Sequence, residues 1–211
     1  MRSLEKIGGK WRKFMSNLSD ILKFVELTHK FQQVKREILI KDKDEKENDI
    51  EHSYQLAMLS WYLINLNNLD LDINKVIKYA LVHDLVEVYA GDTPLWSTDQ
   101  NLKNSKLQRE KDAAERLEHE FSNFKDLHYF IDKYEKRDDI EAKFVYALDK
   151  ILPIINIYLD NGRIWKQRGV TFEMLIQNKV DKVSVSPEVK KYFDDLLTVL
   201  QEKQQELFQN N

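Results

Sequence analysis

Apolar residues in this chain recur at three- and four-residue spacing through almost every segment, and little interrupts them: 5 Gly and 3 Pro in 211 residues. That spacing puts apolar side chains on one face of an α-helix, and no strand pattern with a two-residue period competes seriously with it. The expected fold is all-α, a single-domain helical bundle. The length suits one domain, and 42% apolar residues supply a core.

The breakers and caps then divide the chain. A first helix is expected from about Ser19, whose hydroxyl can cap it, through Val34, with residues 1–18 loosely ordered ahead of it and the domain running 19–211. KDKDEKEND, Lys41 to Asp49, is too charged to pack and reads as a solvated loop or frayed end. Further helices are expected over HSYQLAMLSWYLINL, from Ile73 through Ala90 until Gly91 stops it, from about Ser105 to Phe121, and over DLHYFIDKYEK. Asp92 to about Lys103, with Pro94 and Trp96, reads as an irregular loop. DIEAKFVYALDKILPIINIYL is a long apolar helix that Pro153 should kink or break near Leu152, and Ser186-Pro187 opens a last helix ending near Phe208. No internal repeat is visible.

Composition excludes several functions. With 33 basic and 36 acidic residues the net charge is -3, which gives no footprint for nucleic acid or an anionic membrane surface. No run is apolar enough to span a bilayer and the N-terminus lacks a signal-peptide core, so a cytoplasmic location is expected. The absence of cysteine leaves His, Asp and Glu as the residues able to hold a metal.

The feature that asks for an explanation is ALVHDLVEVYAGDTP, Ala80 to Pro94. His83, Asp84 and Glu87 stand where a core helix would carry Leu or Ile, and burying an unpaired charge costs several kcal/mol (about 2–7 for a polar group alone). A cation beside the helix would compensate them. His83 and Asp84 can both turn toward a point between their directions, and Glu87, one turn on, can hold or activate a water there. His52 in EHSYQLAML and Asp149 in FVYALDKIL add a second His and a second Asp from two further apolar helices, enough for an octahedral site with open positions. Singly, each residue also has an ordinary reading: His52 as a cap, Asp149 as a salt-bridge partner of Lys150 or Arg109, Asp92 as a turn residue. His119 and His128 lie in charged or mixed helices and read as structural or exposed.

This ordered set resembles the HD-domain metal-dependent phosphohydrolases, whose pattern is H, then HD, then D on separate helices. EHS at 51–53, HDLVEVYAGDTP at 83–94, KLQREKDAAERL and EAKFVYALDKILP at 141–153 look like the subgroup related to bacterial 5′-deoxynucleotidases, over roughly Phe31 to Lys179. The resemblance implies an HD-type helical bundle in which His52, His83, Asp84 and Asp149 bind one divalent metal ion: Mn, Co, Mg, Fe or Zn. It implies attack of a metal-bound water on the phosphorus of a nucleoside 5′-monophosphate, a small phosphorylated substrate. It assigns Glu87 to positioning the water or serving as general acid, places Asp92 near the substrate, and matches Arg36 to a basic residue directed at the substrate phosphate. It also makes a homodimer plausible. In the deoxynucleotidases a Trp follows that Arg and helps exclude ribose; Glu37 follows it here, a departure that leaves sugar selection open.

Three alternatives stay open on the residues alone. Arg36 reads equally as a solvated helix-end residue, and Lys106 and Arg109 as charges presented to water. Another phosphate ester or a nucleoside triphosphate can replace the monophosphate, although sparse basic residues near the motifs argue against the triphosphate. A non-catalytic metal- or nucleotide-binding module is the third.

Overall fold

The structure, a computed structural model, describes residues 2–93 and 99–208, with side chains from residue 17 onward. Pro94 and Trp96 lie outside the described residues. Among the described residues, twelve helices and one two-stranded sheet follow in chain order: α1 (Arg2–Gln33), β1 (Lys35–Leu39), β2 (Lys46–Asn48), α2 (Asp49–Asn67), α3 (Ile73–Val82), α4 (Glu87–Ala90), α5 (Gln100–Asn104), α6 (Lys106–Glu120), α7 (Lys125–Lys136), α8 (Ile140–Leu159), α9 (Arg163–Arg168), α10 (Phe172–Val183), α11 (Pro187–Glu202) and α12 (Gln204–Leu207). The predominantly helical single-domain expectation holds.

Helix α8 is the axis of the bundle. Its Ala142, Val145, Ala147, Leu148 and Ile151 are almost fully buried against α2, α3, α10 and α11. Pro153 sits inside it without ending it. A proline removes one backbone hydrogen bond and crowds the preceding turn, at a cost of about 3 kcal/mol; packing on all sides of this helix outweighs that cost. A second cluster, Leu27, Phe31, Leu85, Leu117 and Leu127, joins α1, α6 and α7 to the turn after α3.

Four local expectations are corrected. α1 begins at Arg2 rather than near Ser19, there being no proline upstream to stop it. Lys41–Asp49 is not wholly solvated: β1 and β2 pair antiparallel, and Glu47, Asn48 and Asp49 are buried. The charge-rich end folds inward because Asn48 caps α2, accepting from Ile50 and Glu51 amides while the Glu51 side chain accepts from the Asn48 amide. Its two acids also meet Arg36 on β1. The helix expected from Ile73 to Ala90 tightens at residues 83–86, where Leu85 N–H bonds Val82 O at 3.1 Å and Glu87 N–H bonds Asp84 O at 2.8 Å, both three residues back. β-branched Val82, Val86 and Val88 weaken helix propensity there, and the change of direction lets Leu85 enter the second cluster. Last, the expected loop to Lys103 gives way to α5 at Gln100, because the Asp99 carboxylate caps it through the Leu102 amide.

Gly91 ends α4 at φ 72°, as its position implied. Gly162 has a tighter requirement: its φ is +68°, and a Cβ there would lie 2.1 Å from the Leu207 carbonyl oxygen. This approach seats α12 so that Phe208 stacks on Trp165, ring centroids 4.6 Å apart. Gly162→Ala should cost about 2 kcal/mol or more, lowering Tm by about 4–8 °C. Calorimetry of the purified variant checks this, and an unchanged Tm would refute the packing account.

Candidate active site

The cap at Asn48, the tight turn at 83–86 and the buried axis of α8 bring residues from three parts of the chain to one place. His52 (α2), His83 and Asp84 (turn) and Asp149 (α8) each present a ligand atom, and these atoms all lie within 4.8 Å of one another. His52 Nε2 is 2.9 Å from Asp149 Oδ1, and His83 Nε2 is 2.9 Å from Asp84 Oδ2 and 3.7 Å from Asp149 Oδ1.

Of the ring nitrogens facing away, that of His83 is held by a hydrogen bond and that of His52 faces a carboxylate. His83 Nδ1 donates to the Ala80 carbonyl at 2.9 Å, which leaves Nε2 to face the cluster. His52 Nδ1 faces Glu47 Oε2 at 3.6 Å, the arrangement of a carboxylate behind a ligand imidazole. Burial pushes His52 down to about 4, so it stays neutral at pH 7. Burial opposes charge on His83 as well, but Asp84 and Asp149 outweigh it and raise this imidazole above its usual value. Asp84 is held ionised against its burial by His83 and Arg36, and Asp149 by Lys150 and His52.

Eight buried side-chain polar atoms lack a hydrogen-bond partner among the described residues, and six belong to this neighbourhood: Arg36 Nε, Glu47 Oε2, Asp49 Oδ2, His52 Nδ1, His83 Nε2 and Glu87 Oε2. His83 Nε2 is close to Asp84 but misaligned for a hydrogen bond. Native interiors leave few such atoms. Two imidazoles and two carboxylates with an unaligned Nε2 among them fit a divalent first-row cation.

Arg36, on β1 rather than at a helix end, reaches the cluster directly: Nη1 bonds Asp84 Oδ2 at 2.6 Å and Asp49 Oδ1 at 3.1 Å, and Nε lies 3.4 Å from Glu47 Oε2. Glu87 is buried beside it, one of its oxygens within 4.8 Å of ligand atoms of Asp49 and Asp84. Burial, then Asp84, Asp92 and Asp49, push Glu87 up to about 10. Asp92 is half-buried in the loop after α4, and burial raises it too. Arg109 pins that loop by donating to the Ala90 carbonyl and, at 2.6 Å, to Thr93 Oγ1, so it does not pair with Asp149. Lys150 does, at 2.5 Å.

Asp84, Asp149, Glu87, Asp92 and Arg36 line one cavity of about 430 Å³. Trp165, Lys106, Lys150, Arg168, Lys179 and Lys182 also line it. The expectation of few basic residues near the motifs is therefore corrected: Lys106 and Lys150 lie beside the motifs, and α9 and α10 bring Arg168, Lys179 and Lys182 from sequence well past them. Asp49 and Glu47 were missed as well, although the Asn48-x-x-Glu51 capping box signalled that the helix starts before His52. His119 is exposed and His128 Nε2 donates to the Phe121 carbonyl at 2.9 Å, so neither joins the site.

Residues 28–192 match the family described as HD domain, and the chain belongs to that family. Among curated relatives, the 5′-deoxynucleotidase HDDC2 of Dictyostelium discoideum is 31% identical over 150 residues, covering 67% of this chain and 77% of that protein. The zebrafish (Danio rerio) protein of the same name is 26% identical over 144 residues, covering 67% and 70%. A crystal structure from Magnetospirillum magnetotacticum MS-1, described as a predicted metal-dependent phosphohydrolase, superposes with a TM-score of 0.76 at 27% identity, over 88% of this chain and 93% of that one. An HD-domain phosphohydrolase from Listeria innocua shares the fold, with a TM-score of 0.56 at 16% identity.

The raised His83 gives metal binding a pH dependence with a definite sign. Its imidazolium persists above the usual histidine range, and a proton on Nε2 blocks ligation, so lowering the pH must weaken binding. Titrating metal-stripped protein with Mn²⁺ by calorimetry should show Kd rising by up to about tenfold per unit between pH 8 and pH 6, with proton release on binding. A pH-independent Kd would contradict the assignment.

Proposed function

We propose that this chain is a metal-dependent phosphohydrolase that releases phosphate from a nucleoside 5′-monophosphate, with His52, His83, Asp84 and Asp149 holding one divalent ion. The observation that carries this reading is the convergence of those four residues, with an unaligned Nε2, where Asp84 and Asp149 line a cavity that cations also line. The relatives named 5′-deoxynucleotidase support the nucleotide. When bound, a divalent ion there neutralises charge on the phosphoryl group and makes water more acidic.

The chain's own residues do the rest. Arg36 holds Asp84 in place through a charge-assisted bond and presents its guanidinium to the cavity, where it can bind phosphoryl oxygens. Glu87, pushed up to about 10, keeps its proton at neutral pH and is placed to give it to the leaving oxygen. Asp92 shares the cavity and takes a substrate-positioning role, its loop fixed by Arg109. Lys150 holds Asp149 in its ionised, ligand-ready form. Glu37, where the deoxynucleotidases carry Trp, lines the cavity and is tied to Lys46 at 2.7 Å and to Arg168. A carboxylate accepts hydrogen bonds from hydroxyls, so this wall admits ribose.

In this proposal the enzyme is cytoplasmic and works as a homodimer. No helix of the described residues is long and apolar enough to cross a membrane. The adjoining α1 and α2 expose Ile21, Leu22, Val25, Tyr54, Met58 and Trp61, a face suited to a second copy.

Phosphate release should be measured from ribo- and deoxynucleoside 5′-monophosphates with Mn²⁺ resupplied to stripped protein. Asp84→Ala should lose at least about 100-fold of the rate, and Glu87→Gln about 10²–10⁴-fold in kcat while still binding Mn²⁺. Ribo and deoxy substrates should be turned over within about tenfold of each other. Full activity of folded Asp84→Ala would overturn the site, and strong rejection of ribonucleotides would overturn the role of Glu37.

A further inference from the structure

On α10, Lys179 and Lys182 follow Leu175 by four and seven residues, so the three form one stripe of the helix, and all three line the cavity. A stripe turned toward neighbouring helices ordinarily carries apolar residues, and Leu175 is 2% exposed. Both lysines are half-buried.

Of the six cations lining the cavity among the described residues, four have an acidic partner: Arg36 has Asp84, Lys106 has Glu110 at 3.1 Å, Lys150 has Asp149, and Arg168 has Glu37. Lys179 and Lys182 have no hydrogen bond or ion pair among the described residues. They also repel their surroundings: burial, then Lys150 and Lys182, push Lys179 down to about 7, and burial, Lys150 and Lys106 lower Lys182. A sequence with more acids than bases has placed these two lysines, unpaired among the described residues, on the wall of the cavity that holds the candidate site. An anionic ligand in the cavity would supply the counter-charge that both ammonium groups lack there.

That ligand is within reach of the His/Asp cluster, since Asp84, Asp149 and Arg36 line the same cavity as Lys179 and Lys182. The cluster and Arg36 already provide for one phosphoryl group. We propose that Lys179 and Lys182 form a subsite for a second phosphoryl group of the same substrate. The inference rests on the phosphohydrolase reading and extends its substrate class from nucleoside monophosphates to nucleotides carrying two phosphates. Lysine suits such a site because its ammonium is a compact charge on a flexible stem, able to follow a phosphate whose position is not fixed bidentately. The second phosphate belongs either to a 5′-diphosphate, extending the chain, or to a 3′,5′-bisphosphate, across the sugar.

The test is equilibrium binding to the full-length, metal-stripped protein, by calorimetry, of deoxyadenosine 5′-monophosphate, 5′-diphosphate and 3′,5′-bisphosphate. One of the doubly phosphorylated ligands should bind at least about tenfold tighter than the monophosphate, and which one identifies the source of the second phosphate. In Lys179→Gln/Lys182→Gln that ratio should fall to within about twofold of one. Equal affinities for all three ligands in the wild-type protein, or a ratio unchanged in a folded variant, would overturn the subsite. Equal wild-type affinities overturn the subsite even where the double variant does not fold, and the single variants Lys179→Gln and Lys182→Gln, each expected to lower the ratio, carry the assignment in that case. Phosphate release from the monophosphate by Mn²⁺-loaded protein is measured alongside. Release without an affinity difference sinks the subsite and leaves the hydrolase; an affinity difference without release does the reverse.

Discussion

The burial of so many ionisable groups in one place is the constraint around which the rest of the molecule is arranged. Glu47, Asp49, His52, His83, Glu87 and Asp149 are all at most 7% exposed. An isolated buried ion costs several kcal/mol even after relaxation, and a whole domain is stable by only about 5–15 kcal/mol. The charges must therefore be answered locally. Arg36 answers Asp84 and Asp49 and approaches Glu47; Lys150 answers Asp149. Glu87 answers its own burial by keeping a proton. What stays unanswered, His83 Nε2 foremost, points to a cation.

The architecture bends to serve this arrangement. A regular helix through residues 73–90 would have kept one face for packing, whereas the tight turn at 83–86 lets Leu85 fill the second cluster while His83 and Asp84 meet Asp149. The small sheet exists at a point where helix would have served, and it carries Arg36 to the acids. Proline in the middle of α8 costs stability, yet it lines the cavity four residues after Asp149. Each departure from regularity lies next to the site, as expected where local rules are broken for function.

This distribution explains what could be read from the chain beforehand. The helices are legible because apolar periodicity is dense and breakers are few, and His52, His83, Asp84, Asp149, Glu87 and Asp92 are legible because charge in an apolar helix has few explanations. Lys41–Asp49 misled because composition reports an average: six of its residues are solvent-facing while Glu47, Asn48 and Asp49 turn inward to a cap and an arginine. The turn at 83–86 was invisible because a 3-residue and a 4-residue hydrogen bond leave nearly the same apolar pattern over four positions. Lys179 and Lys182 escaped because only the packing of α10 on α8 shows that their stripe faces the cavity rather than water.

The most direct measurement is anomalous scattering from crystals of the full chain grown with Mn²⁺, recorded at the manganese edge. The account predicts one strong peak among His52 Nε2, His83 Nε2, Asp84 and Asp149. No peak there under saturating Mn²⁺, or a peak held by other residues, would contradict it.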